Sequence, residues 1–270
     1  MEWIDPVLHP SALSEYEAAE NTIVVTGEET GKTTQISFGD IIVSDMYSYY
    51  YTGTASEMEF DGEGQLTSAV NYVTGDVSKK IYRTAGHGEA TLSATVSDLM
   101  DKNNYTLSEL NLLMNPEIPE DCDLLLMYAP AKDLTEEEKT AVETYLSGGG
   151  NVMILLGDTN ATELPNLSAL MKTYGLEAAD GYIADPQRAY QGNYYYFFPM
   201  LSASGDLANG LTSEMVLLAN AHGLNLTAAA RDTITTEAFM ETSQNAFAVT
   251  EESQSEGSYT LGATATEALD

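Results

Sequence analysis

The chain is short of basic residues, cysteine and histidine, and each shortage closes off a class of function. Ten lysines and arginines face 42 aspartates and glutamates in 270 residues, a formal net charge of -32. Such a chain has no basic patch with which to displace counterions from nucleic acid. The same field disfavours an electrostatic grip on anionic lipid. One cysteine, Cys122, allows no internal disulfide. Three dispersed histidines and that cysteine lack zinc-ligand spacing, and no D-x-D-x-D-G loop suits calcium. No metal and no cofactor is therefore expected. A phosphate-binding G-x-x-x-x-G-K-[ST] is missing; "TGEETGKT" at 26–33 has the wrong spacing and falls in an expected hairpin. There is no G-x-S-x-G nucleophile elbow. No apolar run reaches the roughly 18 residues that span a bilayer, and no signal peptide is visible. The opening "MEWIDPVLHPSAL" reads like the middle of a longer protein.

What is present is enough apolar residue, 43%, for a real core in one large or two modest domains. Residues 21–44 read as β structure around the turn "GEETGK". Leu66, Ala69, Val70 and Val73 are spaced as one face of a helix over 62–74. A division between 1–78 and 79–270 follows, with the first part a β-rich segment. The central chain is regular. A strand in "KKIYRTAG" leads to a helix over Glu89–Lys102, and two strands follow, in "YTLSELNLL" and "CDLLLMYAP". Thr135 and Glu138 form a capping box for a helix ended by Gly148. The strand "NVMILLGD" and a helix over Leu164–Tyr174, closed by Gly175, complete a parallel α/β pattern with helices on both faces. Beyond residue 180, "AFMETSQNAFAVT" and "SYTLGATATEA" read as strands at a sheet edge, and "EESQSEG" as a mobile loop.

In such sheets the working crevice lies at the carboxyl ends of the strands. The loops "AGHGE", the segment after Leu112–Leu113, "YAPAKD" and "LGDTN" would meet there. Gly86, His87, Gly88, Glu89 and Asp158 are accordingly the candidate ligand-binding residues. Glycines on both sides let the backbone turn sharply at His87, and a helix starting at once would offer free N–H groups to an anion. His87 could be a general base partnered by Glu89 or Asp158, or could simply organise the turn. Cys122 sits between two aspartates at the start of a strand, where its thiolate is disfavoured. The 17 tyrosines, clustered in "YSYYY" at 47–51 and "NYYYFF" at 193–198, could stack on sugars, line an interface or pack a core.

The order "WIDPVLHP", "GEGQLTSAVNYVT", "KIYRTAGHGE", "DLLLMYAPAKDLTEEEKTAVETYLSGGGNVMILLGD", "FMETSQNAF" and "YTLGATATE" resembles the extracytoplasmic region of the gliding-motility-type (Gldg) auxiliary subunits of ABC transporters. The resemblance covers nearly the whole chain. It implies a flavodoxin-like, class I glutamine amidotransferase-like three-layer sandwich with a parallel sheet, a fold that also serves binding in an intraflagellar transport protein. It implies membrane anchoring through helices outside this chain, on the outer face of the bacterial plasma membrane, beside the membrane subunits of the transporter. The family's G-H-G-E maps onto Gly86 to Glu89, with no established catalytic role. The amidotransferase nucleophile elbow and its paired His and Glu are missing. The expectation is a non-catalytic accessory domain that binds a partner protein or cargo. A hydrolase using the G-H-G-E loop and a carbohydrate-binding or surface-polymer-binding module are the rival readings.

Overall fold

The computed structural model describes residues 3–44, 58–75, 78–202 and 216–269. By internal contacts the chain groups into two units, 1–81 with 92–108, and 82–91 with 109–270. Residues 92–108 lie beyond the 78/79 division expected from the sequence and group with the first unit.

The first unit opens with the short helix α1 (Ser11–Glu15) and the antiparallel hairpin β1 (Thr22–Thr26) and β2 (Thr33–Ser37). The hairpin loop closes through the Gly27 N–H to the Lys32 carbonyl at 2.9 Å. The β structure expected over 21–44 is interrupted by α2 (Phe38–Ile41), because Ser37 and Asp40 cap each other's amides at its start. β3 (Ile42–Ser44) pairs with β4 (Met58–Phe60), and α3 (Gly62–Thr74) falls where the spacing placed it. Its buried stripe is narrower than expected: Ala69 and Val73 are covered, whereas Leu66 and Val70 are exposed. Ile36, Ile41 and Ala69 make a small core with Val25 and Ile42. α4 (Ala94–Lys102) starts five residues later than Glu89, because the Ser93 hydroxyl caps it by accepting from the Val96 N–H. The tyrosines at 47–51 lie outside the described residues.

β5 (Lys79–Thr84) and β6 (Tyr105–Leu110) have residues in both units and belong to a sheet of order β6-β5-β7-β8. β7 (Leu124–Tyr128) and β8 (Val152–Leu155) pair in parallel, Leu125 with Val152 through Tyr128 with Leu155. Leu125, Leu126 and Met127 are all buried, as an apolar strand covered on both faces must be. The Thr135–Glu138 capping box starts α5 (Glu136–Ser147), and three glutamates in its first turn complement the helix dipole. α6 (Pro165–Thr173) is capped from a distance: the Asp133 carboxylate accepts from the Asn166 and Leu167 N–H groups at 2.8 and 3.0 Å. Val142 of α5 and Leu167 and Leu170 of α6 share one core with Leu125, Met127 and Ile234.

The chain after α6 departs from expectation. Its strands are β9 (Leu176–Ala178), β10 (Tyr182–Ala184), β11 (Ala189–Tyr190), β12 (Asn193–Phe197), β13 (Met200–Leu201), β14 (Leu218–Ala219), β15 (Leu224–Leu226), β16 (Ile234–Glu241), β17 (Ala246–Val249), β18 (Gln254–Gly257) and β19 (Thr260–Glu267). They form an antiparallel sheet β13-β16-β19-β15-β9 and two three-stranded antiparallel sheets, β10-β17-β18 and β11-β12-β14. β16 and β19 are inner strands, not edges, and the expected mobile loop "EESQSEG" supplies β18. The protein is thus mixed α/β, with parallel pairing between β7 and β8 and much antiparallel sheet. The physical reason is connection length. Short turns such as 191–192 and 250–253 can only reverse the chain, whereas parallel neighbours need a crossover of a dozen residues or more.

Asp185 joins these sheets. It is fully buried just after β10, and its carboxylate accepts from the Ser243 N–H and hydroxyl at 2.8 Å each and from the Gln187 N–H at 3.1 Å. Ser243 lies in the turn between β16 and β17. Ser243→Ala leaves one carboxylate oxygen short of a buried donor and should cost about 1–3 kcal/mol. Urea denaturation checks this, and an unchanged midpoint would show that the bond contributes nothing net.

Candidate functional site

After β5 the backbone reverses through Ala85 to Glu89. Gly86 (φ +111°) and Gly88 (φ +72°) lie in the left-handed region. A Cβ on Gly86 would stand 3.0 Å from Leu113 and 3.3 Å from Asn111, and one on Gly88 would stand 3.2 Å from Ala131. Close approach therefore calls for glycine at both positions. The turn is laced to the loop after β7: Ala131 N–H donates to the His87 carbonyl at 2.9 Å, and Ala90 N–H to the Tyr128 carbonyl at 3.0 Å. Gly157, after β8, sits against Ala129. These contacts join three of the four loops expected to converge, and Asn111 and Leu113, just after β6, reach the same turn.

The His87 side chain points inward and is 2% exposed. Its Nδ1 lies 3.2 Å from Glu89 Oε1 and its Nε2 lies 3.1 Å from Glu138 Oε2. The other oxygen of Glu89 accepts from the His87 N–H at 2.8 Å. Glu138 Oε2 also accepts from the Thr135 N–H at 2.8 Å, as the capping box requires. Neutral imidazole donates from one nitrogen only. Burial pushes the Glu89 carboxyl up, but the Glu89 and His87 amides, the His87 ring and the Thr84 hydroxyl outweigh it and hold the group below its usual value.

The structure brings Gly86, His87, Gly88 and Glu89 together and leaves Asp158 out. Asp158 is exposed, and both His87 nitrogens face other carboxylates. The helix expected at Glu89 does not start there, because that carboxylate turns back onto the His87 N–H instead. The free helix N-terminus proposed for an anion is therefore absent from this turn. Glu138 is the residue that sequence reasoning missed. Its capping role was legible, but its contact with a histidine 51 positions away was not.

Cys122 is half-buried, and burial pushes its thiol up. It precedes the amino end of β7, whereas the His87 turn is bonded to the carboxyl end, so the length of a five-residue strand separates the two. Tyr194, Tyr195 and Tyr196 of β12 are 53%, 36% and 38% exposed, while Phe197 is buried. Among the described residues no His, Cys, Asp and Glu side chains group as metal ligands would. No helix among them is long and apolar enough to cross a membrane.

The depressed Glu89 carboxyl sets a pH dependence. Its contribution to stability is fully present above the ordinary carboxylate value of about 4.5 and is lost as pH falls through the lower folded value. Glu89→Gln should destabilise the protein by about 1–3 kcal/mol at neutral pH and flatten the acid limb below about pH 5. Thermal denaturation against pH checks both. An acid limb of unchanged slope would exclude Glu89 from this role.

The fold is similar to that of the mmIFT52 N-terminal domain, with a TM-score of 0.50 and 14% identity over 62% of this chain and 74% of that one. No curated protein matches. The match that spans more than half of the chain, residues 78–261, is to the family described as an ABC-type uncharacterized transport system, and the chain belongs to that family of ABC transporter auxiliary proteins.

Proposed function

We propose that this chain is a non-catalytic accessory domain of an ABC export system. It lies on the outer face of the bacterial plasma membrane, is tethered by helices outside residues 1–270, and binds a partner protein or cargo beside the membrane subunits. Its second unit is read as a class I glutamine amidotransferase-like, flavodoxin-like domain of the Gldg type, without the chemistry of that fold. The observation that carries this reading is the engagement of His87. A general base needs a nitrogen within reach of substrate. Here both ring nitrogens face carboxylates, and the ring is 2% exposed. The raised thiol of Cys122, at the other end of β7, supports the same reading.

The purified protein should hydrolyse neither glutamine nor a model ester above the buffer rate. His87→Ala should lower its melting temperature and change no turnover. Hydrolysis abolished by His87→Ala would overturn the reading in favour of an enzyme that uses the G-H-G-E loop.

The exposed tyrosines of β12 favour a second reading, binding of a sugar polymer through aromatic stacking. A glycan array should then give a signal that Tyr194→Ser with Tyr196→Ser removes. Silence with the native protein would end that reading.

A further inference from the structure

A groove of about 610 Å³ runs along α5, between that helix and the segment 116–122. Its volume falls within the roughly 300–1,000 Å³ of ordinary ligand sites. Its apolar part is Ile118, Pro119, Ala141 and the Tyr145 ring, and its carboxylates are Glu117, Glu120 and Glu137, all three exposed.

Most of the hydrogen-bond donors along the groove are already committed. Pro116 and Pro119 have no N–H. The Glu117 N–H donates to the Asn115 carbonyl at 2.8 Å, and the Cys122 N–H to the Pro119 carbonyl at 3.0 Å. The Gly148, Gly149 and Gly150 N–H groups all close back on the last turn of α5, onto carbonyls of Thr144, Tyr145 and Leu146. The hydroxyls are committed as well: Thr140 to the Glu136 carbonyl and Thr144 to the Thr140 carbonyl at 2.8 Å each, and Tyr145 to the Cys122 carbonyl at 3.0 Å. No lysine, arginine or histidine lines the groove. The nearby Lys139 is paired to Glu136 at 2.8 Å. The negative end of the α5 dipole lies at the Gly148–Gly150 end.

A ligand for such a surface must bring its own donors and positive charge, with small apolar groups for the floor. We propose that the groove docks an extended, lysine- or arginine-bearing segment of a partner protein, with short apolar residues between the cationic ones. The proposal rests on the binding-protein reading above and names the surface and the chemistry of the partner.

Fluorescence anisotropy with a labelled peptide of alternating arginine, alanine and proline tests it at physiological salt. The native protein should bind, and Glu117→Gln with Glu120→Gln and Glu137→Gln should weaken binding about tenfold or more. Glu15→Gln with Glu17→Gln and Glu20→Gln removes the same charge from the first unit and should change affinity by less than about twofold. Thr144→Trp fills the groove at unchanged charge and should weaken binding as well. Circular dichroism confirms that each variant is folded. Equal losses in the two triple variants, no effect of Thr144→Trp, or displacement of the peptide by spermine at equal affinity would each overturn the proposal. So would failure of the native protein to bind. None of these outcomes touches the non-catalytic reading, which stands or falls on the hydrolysis assay.

Discussion

A buried imidazole has to satisfy two nitrogens, and the organisation of the G-H-G-E turn rests on how His87 does so. Glu89 holds the ring from within its own turn, and Glu138 holds it from the first turn of α5. Each carboxylate has a second duty, Glu89 on the His87 amide and Glu138 on the Thr135 amide. One cluster therefore shapes the turn after β5, starts a helix and joins the two. Leaving a buried polar group of this cluster without its partner costs about 1–3 kcal/mol. That is an appreciable share of a typical domain stability of about 5–15 kcal/mol. The two flanking glycines are part of the same constraint, since only a backbone with positive φ on each side of His87 brings the ring inward.

Much of the fold was legible because local chemistry decides it. α3, α5, β7 and β8 lie where periodicity, capping and apolar runs placed them. The misses share a cause as well. The apolar spacing of Leu92, Val96, Leu99 and Met100 predicts a helix over Glu89–Lys102, and nothing local reveals that the Glu89 carboxylate is claimed by the His87 amide and ring. "EESQSEG" is polar enough for a loop, yet β17 offers it a hydrogen-bonding edge, and β18 forms on that edge. β16 and β19 alternate too weakly to show that they are inner strands of one sheet. In the site, residue types and glycines were readable from a few positions, whereas the Glu138 contact depends on a sequence separation of 51.

The charge imbalance is arranged, not uniform. Several of the few cations are tied to acids: Lys102 reaches Asp61 and Asp98, Arg231 grips Glu267 through two nitrogens, and Arg83 pairs with Glu109. Exposed pairs of this kind are each worth little, on the order of 0–1 kcal/mol. Their effect is to leave the remaining carboxylates unopposed over the surface. A field of that sign speeds the encounter with cationic surfaces and repels anionic ones, through on-rates more than through affinity.

The two edges of the parallel pair divide the labour accordingly. At the carboxyl end of β5 and β7, where α/β enzymes keep their reacting groups, the Ala85, His87 and Ala90 amides and the His87 ring are bonded to the protein itself, and the glycine backbones at 86 and 88 face outward. That end is a rigid shape with its chemistry turned inward. The segment leading into the amino end of β7 borders the groove along α5, where most donors are committed and the carboxylates of Glu117, Glu120 and Glu137 stay outside. A catalytic site requires at least one titratable group with a free coordination position. A docking surface requires only complementary charge around an apolar floor. The first condition fails at His87, whose two ring nitrogens face carboxylates, and the second is met at the groove.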